Sequence, residues 1–277
     1  MRVGPLPCFM FDSHNHLHRL PDPLGVIGRM REVGITGCVV NGTCEGDWGE
    51  VAGLAEERAD FVRPAFGVHP WQAAGVNAGW MMDLEGWRDA FPAGSIGECG
   101  LDGWVRGPSL EVQRAVCLPQ LALARERELP GTVHALKAWE PLFAALKEEP
   151  PPERGFLLHS FGGSEDLVKR LADLGAWFSF SGYFLQTRKA KVLEAYRAVP
   201  RERLLVETDA PDMLPPEEFR IEVLPEKVNH PANLVRIVAG LAEALGMEAG
   251  ELGQLTEANA RRFFGAGGEF PTANGRE

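Results

Sequence analysis

The chain is 277 residues long, 45% hydrophobic, and carries 39 acidic against 28 basic side chains, for a formal charge of −11. That length suits a single (β/α)₈ TIM barrel, typically about 250 residues, with a large buried core. The acidic balance disfavours long-range attraction to a polyanion or an anionic membrane surface, and gives no support to an extended nucleic-acid groove.

Taken in chain order, short β-rich apolar runs alternate with longer charged segments whose apolar residues recur at helical spacing, the pattern of βα units and a parallel sheet. The runs lie at 8–12, 34–41, 61–68, 95–98, 131–134, 155–159, 176–181 and 203–207. Eight is the number that closes a barrel. The first is followed by His14 and His16, which extended backbone would point to one side. His18 continues the alternation where the chain should be leaving the strand, so it reads as a loop residue beside the site. His69 follows the third run. Glu98 ends the fourth, with Cys99 expected to face away from it as a small buried hydrophobe and Asp102 to reach the mouth.

The segment 110–128 has Leu and Ala at three- and four-residue intervals beside Arg125, Glu126 and Arg127, an amphipathic helix. His134 ends the fifth run. Three consecutive prolines at 149–153 mark a surface turn before the sixth, which ends in His159. Gly162-Gly163 then suits a tight turn, or the approach of an anion to a helix start. Asp209 follows the eighth run and opens a proline-rich loop, 209–225, over the mouth, while His230 is placed to pack against or cap the final helix. The Gly-rich stretch 265–277 reads as a flexible tail after one domain at 1–264. Cys8, Cys38, Cys44, Cys99 and Cys117 show no Cys-x-x-Cys spacing, and no run of about 18 apolar residues occurs, so a reduced, cytoplasmic, non-membrane protein is expected.

In a barrel the C-terminal strand ends converge on one mouth, so His14, His16, Glu98, His134, His159 and Asp209 fall where one cavity would collect them. Imidazole with carboxylate suits zinc, manganese or iron, and a bridging carboxylate also admits magnesium, although four histidines weigh against a pure magnesium site. Two divalent cations, about +4, would outweigh the two carboxylates and leave a pocket of about +2 in an acidic chain, which favours an anionic substrate. Trp71, Trp104 and Tyr183 near strand ends are either base-stacking residues or packing under loops.

The strings Phe11-Asp12-Ser13-His14-Asn15-His16-Leu17, Gly67-Val68-His69-Pro70, Ile96-Gly97-Glu98-Cys99-Gly100-Leu101-Asp102, His159-Ser160-Phe161-Gly162-Gly163 and Glu207-Thr208-Asp209-Ala210-Pro211 resemble, in order, the motifs of the TatD family of metal-dependent hydrolases. The resemblance runs from about Phe11 to Phe264 and includes Asn229-His230-Pro231-Ala232-Asn233-Leu234. It implies a (β/α)₈ fold, two divalent ions (Zn, Mn or Mg) and hydrolysis by a metal-activated water, often of DNA from its 3′ end. It also implies that His14, His16 and Asp209 hold one ion, that Glu98 bridges, and that His134 and His159 hold the second. Asp209 and Glu98 would be the catalytic carboxylates, and His69 would touch the ligands or the substrate.

One departure stands out. The family commonly has His-x-Arg after the fifth strand, where this chain has His134-Ala135-Leu136 followed by Lys137. Lys137 can restore the charge toward a substrate but not the planar, bidentate geometry. The expected partner is a DNA end, a short nucleotide or another small anion. A hydrolase of a carboxylic ester, amide or lactone on the same barrel is the alternative.

Overall fold

The computed structural model describes residues 9–265, so Cys8 and the expected tail from 266 onward lie outside the described residues. Strands β1 (Met10–Asn15), β2 (Ile35–Asn41), β3 (Val62–Phe66), β4 (Ser95–Asp102), β5 (Gly131–Leu136), β6 (Phe156–Leu158), β7 (Ala176–Ser181) and β8 (Leu204–Glu207) pair in parallel in chain order. Helices alternate with them: α1 (Pro23–Glu32), α2 (Trp48–Glu57), α3 (Trp80–Ala90), α4 (Leu110–Glu126), α5 (Trp139–Glu148), α6 (Glu165–Asp173), α7 (Ala190–Ala195), α8 (Leu234–Leu245) and α9 (Ala249–Phe264). This is the expected TIM barrel. Its strands read as near-continuous apolar runs because helices cover one face and packed side chains fill the other.

The interior is plugged near the N-terminal strand ends, where Phe263 and Phe264 of α9 meet Trp177 and Phe11 at ring-centroid distances of 5.1 and 6.2 Å. At the opposite end the seam between β8 and β1 is closed by specific bonds. The Asp209 N–H donates to the His14 carbonyl at 3.0 Å, and the His16 N–H donates to the Ala210 carbonyl at 2.7 Å. Deeper in the seam, the buried Asp12 carboxylate accepts the Thr208 N–H at 3.0 Å, the Thr208 hydroxyl at 2.6 Å and the Asn15 amide at 3.1 Å. Burial pushes Asp12 up to about 7 against the pull of those bonds.

Two details differ from the sequence reading. β1 continues through Asn15, so His14 lies inside the strand. The loop after β8 is not wholly irregular: Val223–Leu224 pairs antiparallel with Val228–Asn229. A pairing of two residues on each side is too short to leave a two-residue period in sequence. Among the described residues no helix is long and apolar enough to cross a membrane.

Candidate metal centre

Glu98 sits at the middle of the mouth because β4 is allowed to run unusually close to β5. Gly97 and Gly100 flank it with φ of 145° and 136°. A Cβ on Gly100 would lie 2.1 Å from the His134 carbonyl oxygen, so only glycine fits there. Two buried glutamines one heptad apart on α4 hold the neighbouring strand ends. Gln113 accepts the Asp102 N–H at 2.7 Å and donates to the Asp102 carbonyl at 3.0 Å. Gln120 does the same for Val68, at 2.8 and 3.2 Å, and so fixes the backbone that presents His69.

The two oxygens of Glu98 face different imidazoles. Oε2 lies 3.3 Å from His14 Nε2 and 3.3 Å from His16 Nε2. Asp209 Oδ1 is 3.4 Å from the first of these nitrogens and 3.6 Å from the second. Oε1 lies 2.8 Å from His159 Nε2 and 3.1 Å from His134 Nδ1, and those two nitrogens are 3.1 Å apart. Two donors bound at about 2.1 Å to one zinc ion, at angles of 90–109°, are about 3.0–3.4 Å apart. Both groups of atoms have separations of this size. The buried His14 ring, moreover, has no hydrogen-bond partner at either nitrogen, as a ligand nitrogen would not. The residues therefore fit divalent ions.

Neighbours select which nitrogen of each ring faces inward. His16 Nδ1 lies 2.8 Å from the Asn41 carbonyl, so it carries the proton and turns the Nε2 lone pair toward Glu98 and Asp209. His134 Nε2 lies 3.2 Å from Asp102 Oδ2, which leaves Nδ1 for the site. His69 is arranged the other way. Its Nδ1 accepts the Trp71 N–H at 3.2 Å, and burial lowers its pKa despite Glu98, so the neutral ring carries its proton on Nε2, 3.3 Å from Glu98 Oε1. His69 thus donates to the carboxylate.

Charge is concentrated on the remaining groups. Burial alone would raise Glu98, but the charge of His159 and the His69, His134 and His14 rings beside its oxygens hold it well below the ordinary carboxylate value. Burial and His159 would lower His14, yet the carboxylates of Asp209 and Glu98, at 3.4 and 3.3 Å, prevail and raise it to about 9. His159 is likewise raised well above its ordinary value: Glu98 and Glu207 outweigh burial. Asp209 stands at φ 53°, in the left-handed region, immediately beyond the strand. That conformation aims its carboxylate at His14 and costs on the order of 1–2 kcal/mol for a residue with a Cβ.

Residues 11–265 match the family model described as TatD related DNase. The chain belongs to the TatD family. A 3′-5′ ssDNA/RNA exonuclease TatD from Erwinia tasmaniensis is 33% identical over 240 residues, which cover 86% of this chain and 92% of that one. A Bacillus subtilis protein named as a metal-dependent hydrolase, YabD, is 31% identical over 262 residues, 92% of this chain and 98% of that one. The crystal structure of the TatD homologue YjjV from Escherichia coli superposes with a TM-score of 0.85 at 27% identity, covering 94% and 99% of the two chains.

Within this TatD fold the other singled-out residues separate. His18 faces Asp47, with Nε2 3.5 Å from Oδ2, and is not part of the Glu98 cluster. Asp102 forms a turn, accepting the Trp104 and Val105 N–H groups at 2.7 and 3.1 Å, and also takes the Trp71 indole N–H at 2.7 Å. His230 caps the turn before α8 by accepting the Ala232 N–H at 3.0 Å. Lys137, at φ 51°, lines a cleft beside the cluster. Sequence reasoning assigned no role to Glu207, although its place two residues before Asp209 on extended chain was a usable signal. Its buried carboxylate accepts the Ser160 N–H and hydroxyl at 2.7 and 2.5 Å, is bonded by Ser179, and lies 3.7 Å from His159 Nδ1.

Proposed function

We propose that this TatD-family chain is a cytoplasmic, divalent-metal-dependent hydrolase that cleaves the terminal phosphodiester of single-stranded DNA or RNA. The observation that carries the reading is the division of Glu98, with one oxygen turned to His14 and His16 and the other to His134 and His159. One ion would be held by His14, His16, Asp209 and Glu98, and a second by Glu98, His134 and His159. Imidazole-rich sets of this kind favour zinc or manganese over magnesium. Bound ions supply Lewis acidity toward phosphoryl oxygens and bring the pKa of a water molecule near neutrality. Asp209, ionised beside His14, takes up the proton that water gives up, while the His69 N–H keeps Glu98 oriented and Lys137 meets the substrate's charge at the rim. The activities named for the relatives support the same substrate class.

The test is shortening of a 5′-labelled single strand with zinc, manganese or magnesium and with chelator, beside a panel of carboxyl esters, amides and lactones. Metal-dependent, stepwise loss from the 3′ end is expected. Turnover confined to the carbonyl panel would move the assignment to the alternative that Leu136 leaves open.

Salt dependence on the same strands should be shallow. A chain of charge −11 offers the metal pocket and a few rim cations, enough to neutralise one or two phosphates. For single strands that predicts KM rising only about 3- to 7-fold between 50 and 200 mM salt, independent of length. A slope that steepens as the strand lengthens would show a long binding track instead.

Metal affinity should climb with pH. His14, raised to about 9, and His159, raised well above its ordinary value, are imidazolium in the metal-free protein at pH 7 and must lose protons to ligate. Affinity is therefore weakest on the acid side and gains up to about tenfold per pH unit for each proton displaced, the His14 contribution levelling off above about 9. Calorimetric titration in buffers of different ionisation heat counts the protons. An affinity flat from pH 6 to 8 would remove His14 from the ligand set.

A further inference from the structure

A cleft of about 570 Å³ opens directly off the cluster, sharing His134, His159 and Asp209 with it. That volume lies in the roughly 300–1,000 Å³ range of sites for one small ligand, not a strand. Its wall differs in chemistry from the metal-ligating floor: Trp104, Leu136, Trp139, Tyr183, Phe184 and Met213 give it a largely apolar, aromatic lining. Trp104 is 65% and Leu136 36% exposed, large apolar faces left open to water at the mouth of a polar site. Cations stand at the aromatic faces: Lys137 Nζ is 5.8 Å from the Trp104 ring centre and Lys189 Nζ 5.1 Å from that of Tyr183. Arg188 donates to the Tyr183 hydroxyl at 2.8 Å, which fixes that ring's orientation.

We infer that this cleft is a subsite for the base of the terminal nucleotide, with Tyr183 and Trp104 as its stacking faces and Leu136 as part of its apolar wall. The inference rests on the phosphodiesterase reading and adds that the enzyme recognises the nucleobase as well as the phosphate. A planar, π-rich base covers apolar side chains that a bare sugar phosphate leaves wet, and cations already beside the rings suit the phosphate attached to it. An arginine at 136 would put a planar cation on that wall and turn the cleft from base-binding to phosphate-binding. Lys137 and Lys189 also line the cleft, so the phosphate attached to the base meets positive charge there.

The experiment uses the metal-loaded protein and two matched pairs of probes: single strands ending in a normal or an abasic 3′ nucleotide, and deoxyadenosine 5′-monophosphate against deoxyribose 5-phosphate. The expected result is a KM about 5- to 150-fold higher for the abasic end, the range set by stacking one base on an aromatic ring, and the same ordering in calorimetric binding of the monophosphates. Tyr183→Ala and Trp104→Ala should narrow the ratio toward one, and Leu136→Arg should narrow it by favouring the base-free probe. Circular dichroism separates these effects from misfolding. Equal KM for normal and abasic ends, with cleavage intact, overturns the subsite and leaves the phosphodiesterase reading standing. Tighter binding of the base-bearing monophosphate without cleavage of any strand, abolished by Tyr183→Ala, supports the subsite and overturns that reading.

Discussion

Asp209→Asn is expected to lower turnover on a single-stranded end by about 10²–10⁴-fold while leaving the fold almost unchanged. The substitution keeps the size and one carbonyl oxygen of the side chain but removes its charge, so it can neither neutralise an ion beside His14 and His16 nor accept a proton. The backbone gives an unusual reason to expect preserved folding. Residue 209 stands at φ 53°, and asparagine enters that left-handed region more readily than almost any other residue with a Cβ. Metal-free melts should differ by no more than about 1–2 kcal/mol. Equal turnover of variant and parent at saturating metal would take Asp209 out of the mechanism.

Glu98→Gln should act on both halves of the centre at once. Glutamine presents N–H donors on one side, and whichever pair of imidazoles that side meets, His14 with His16 or His134 with His159, loses its shared anion. Turnover is expected to fall on the order of 10³-fold or more, and, on the two-ion reading proposed above, bound metal to drop from two ions per chain toward one or none. The cost to folding is limited because an imidazolium deprived of its carboxylate can discharge; about 1–3 kcal/mol of destabilisation without metal is expected. Elemental analysis after gel filtration, paired with chelated melts, reads both quantities. A variant that keeps two ions per chain would show that Glu98 is not shared.

The barrel was legible because its strands are short runs buried on both faces, set between helices of a different period, and because its chemistry sits at strand ends, where a one-dimensional order of motifs becomes a ring. The same logic brought His14, His16, Glu98, His134, His159 and Asp209 to one mouth. What escaped depended on orientation. Gln113 and Gln120 look like ordinary polar positions of an amphipathic helix until their amides are seen bonded to Asp102 and Val68. The hydrogen-bonding role of His69 follows from a single N–H of Trp71 on its Nδ1, which no spacing encodes. Glu207 shares a face with Asp209 yet spends its charge on Ser160 and Ser179. Leu136 was visible as a departure, but that it lines one cleft with Trp104 and Tyr183 was not.

The closed seam has a temporal consequence. The Ser13 hydroxyl donates to the Val206 carbonyl across 193 residues, and Asp12 meets Thr208 across 196. Contacts so far apart along the chain carry a large loop-closure cost and form late. A nascent polypeptide still lacking Asp209 has no partner for the edge of β1 and no carboxylate to complete the grip of His14 and His16. The centre thus matures only after nearly the whole polypeptide has been synthesised, so ribosome-bound fragments carry the histidines without the hydrolytic assembly.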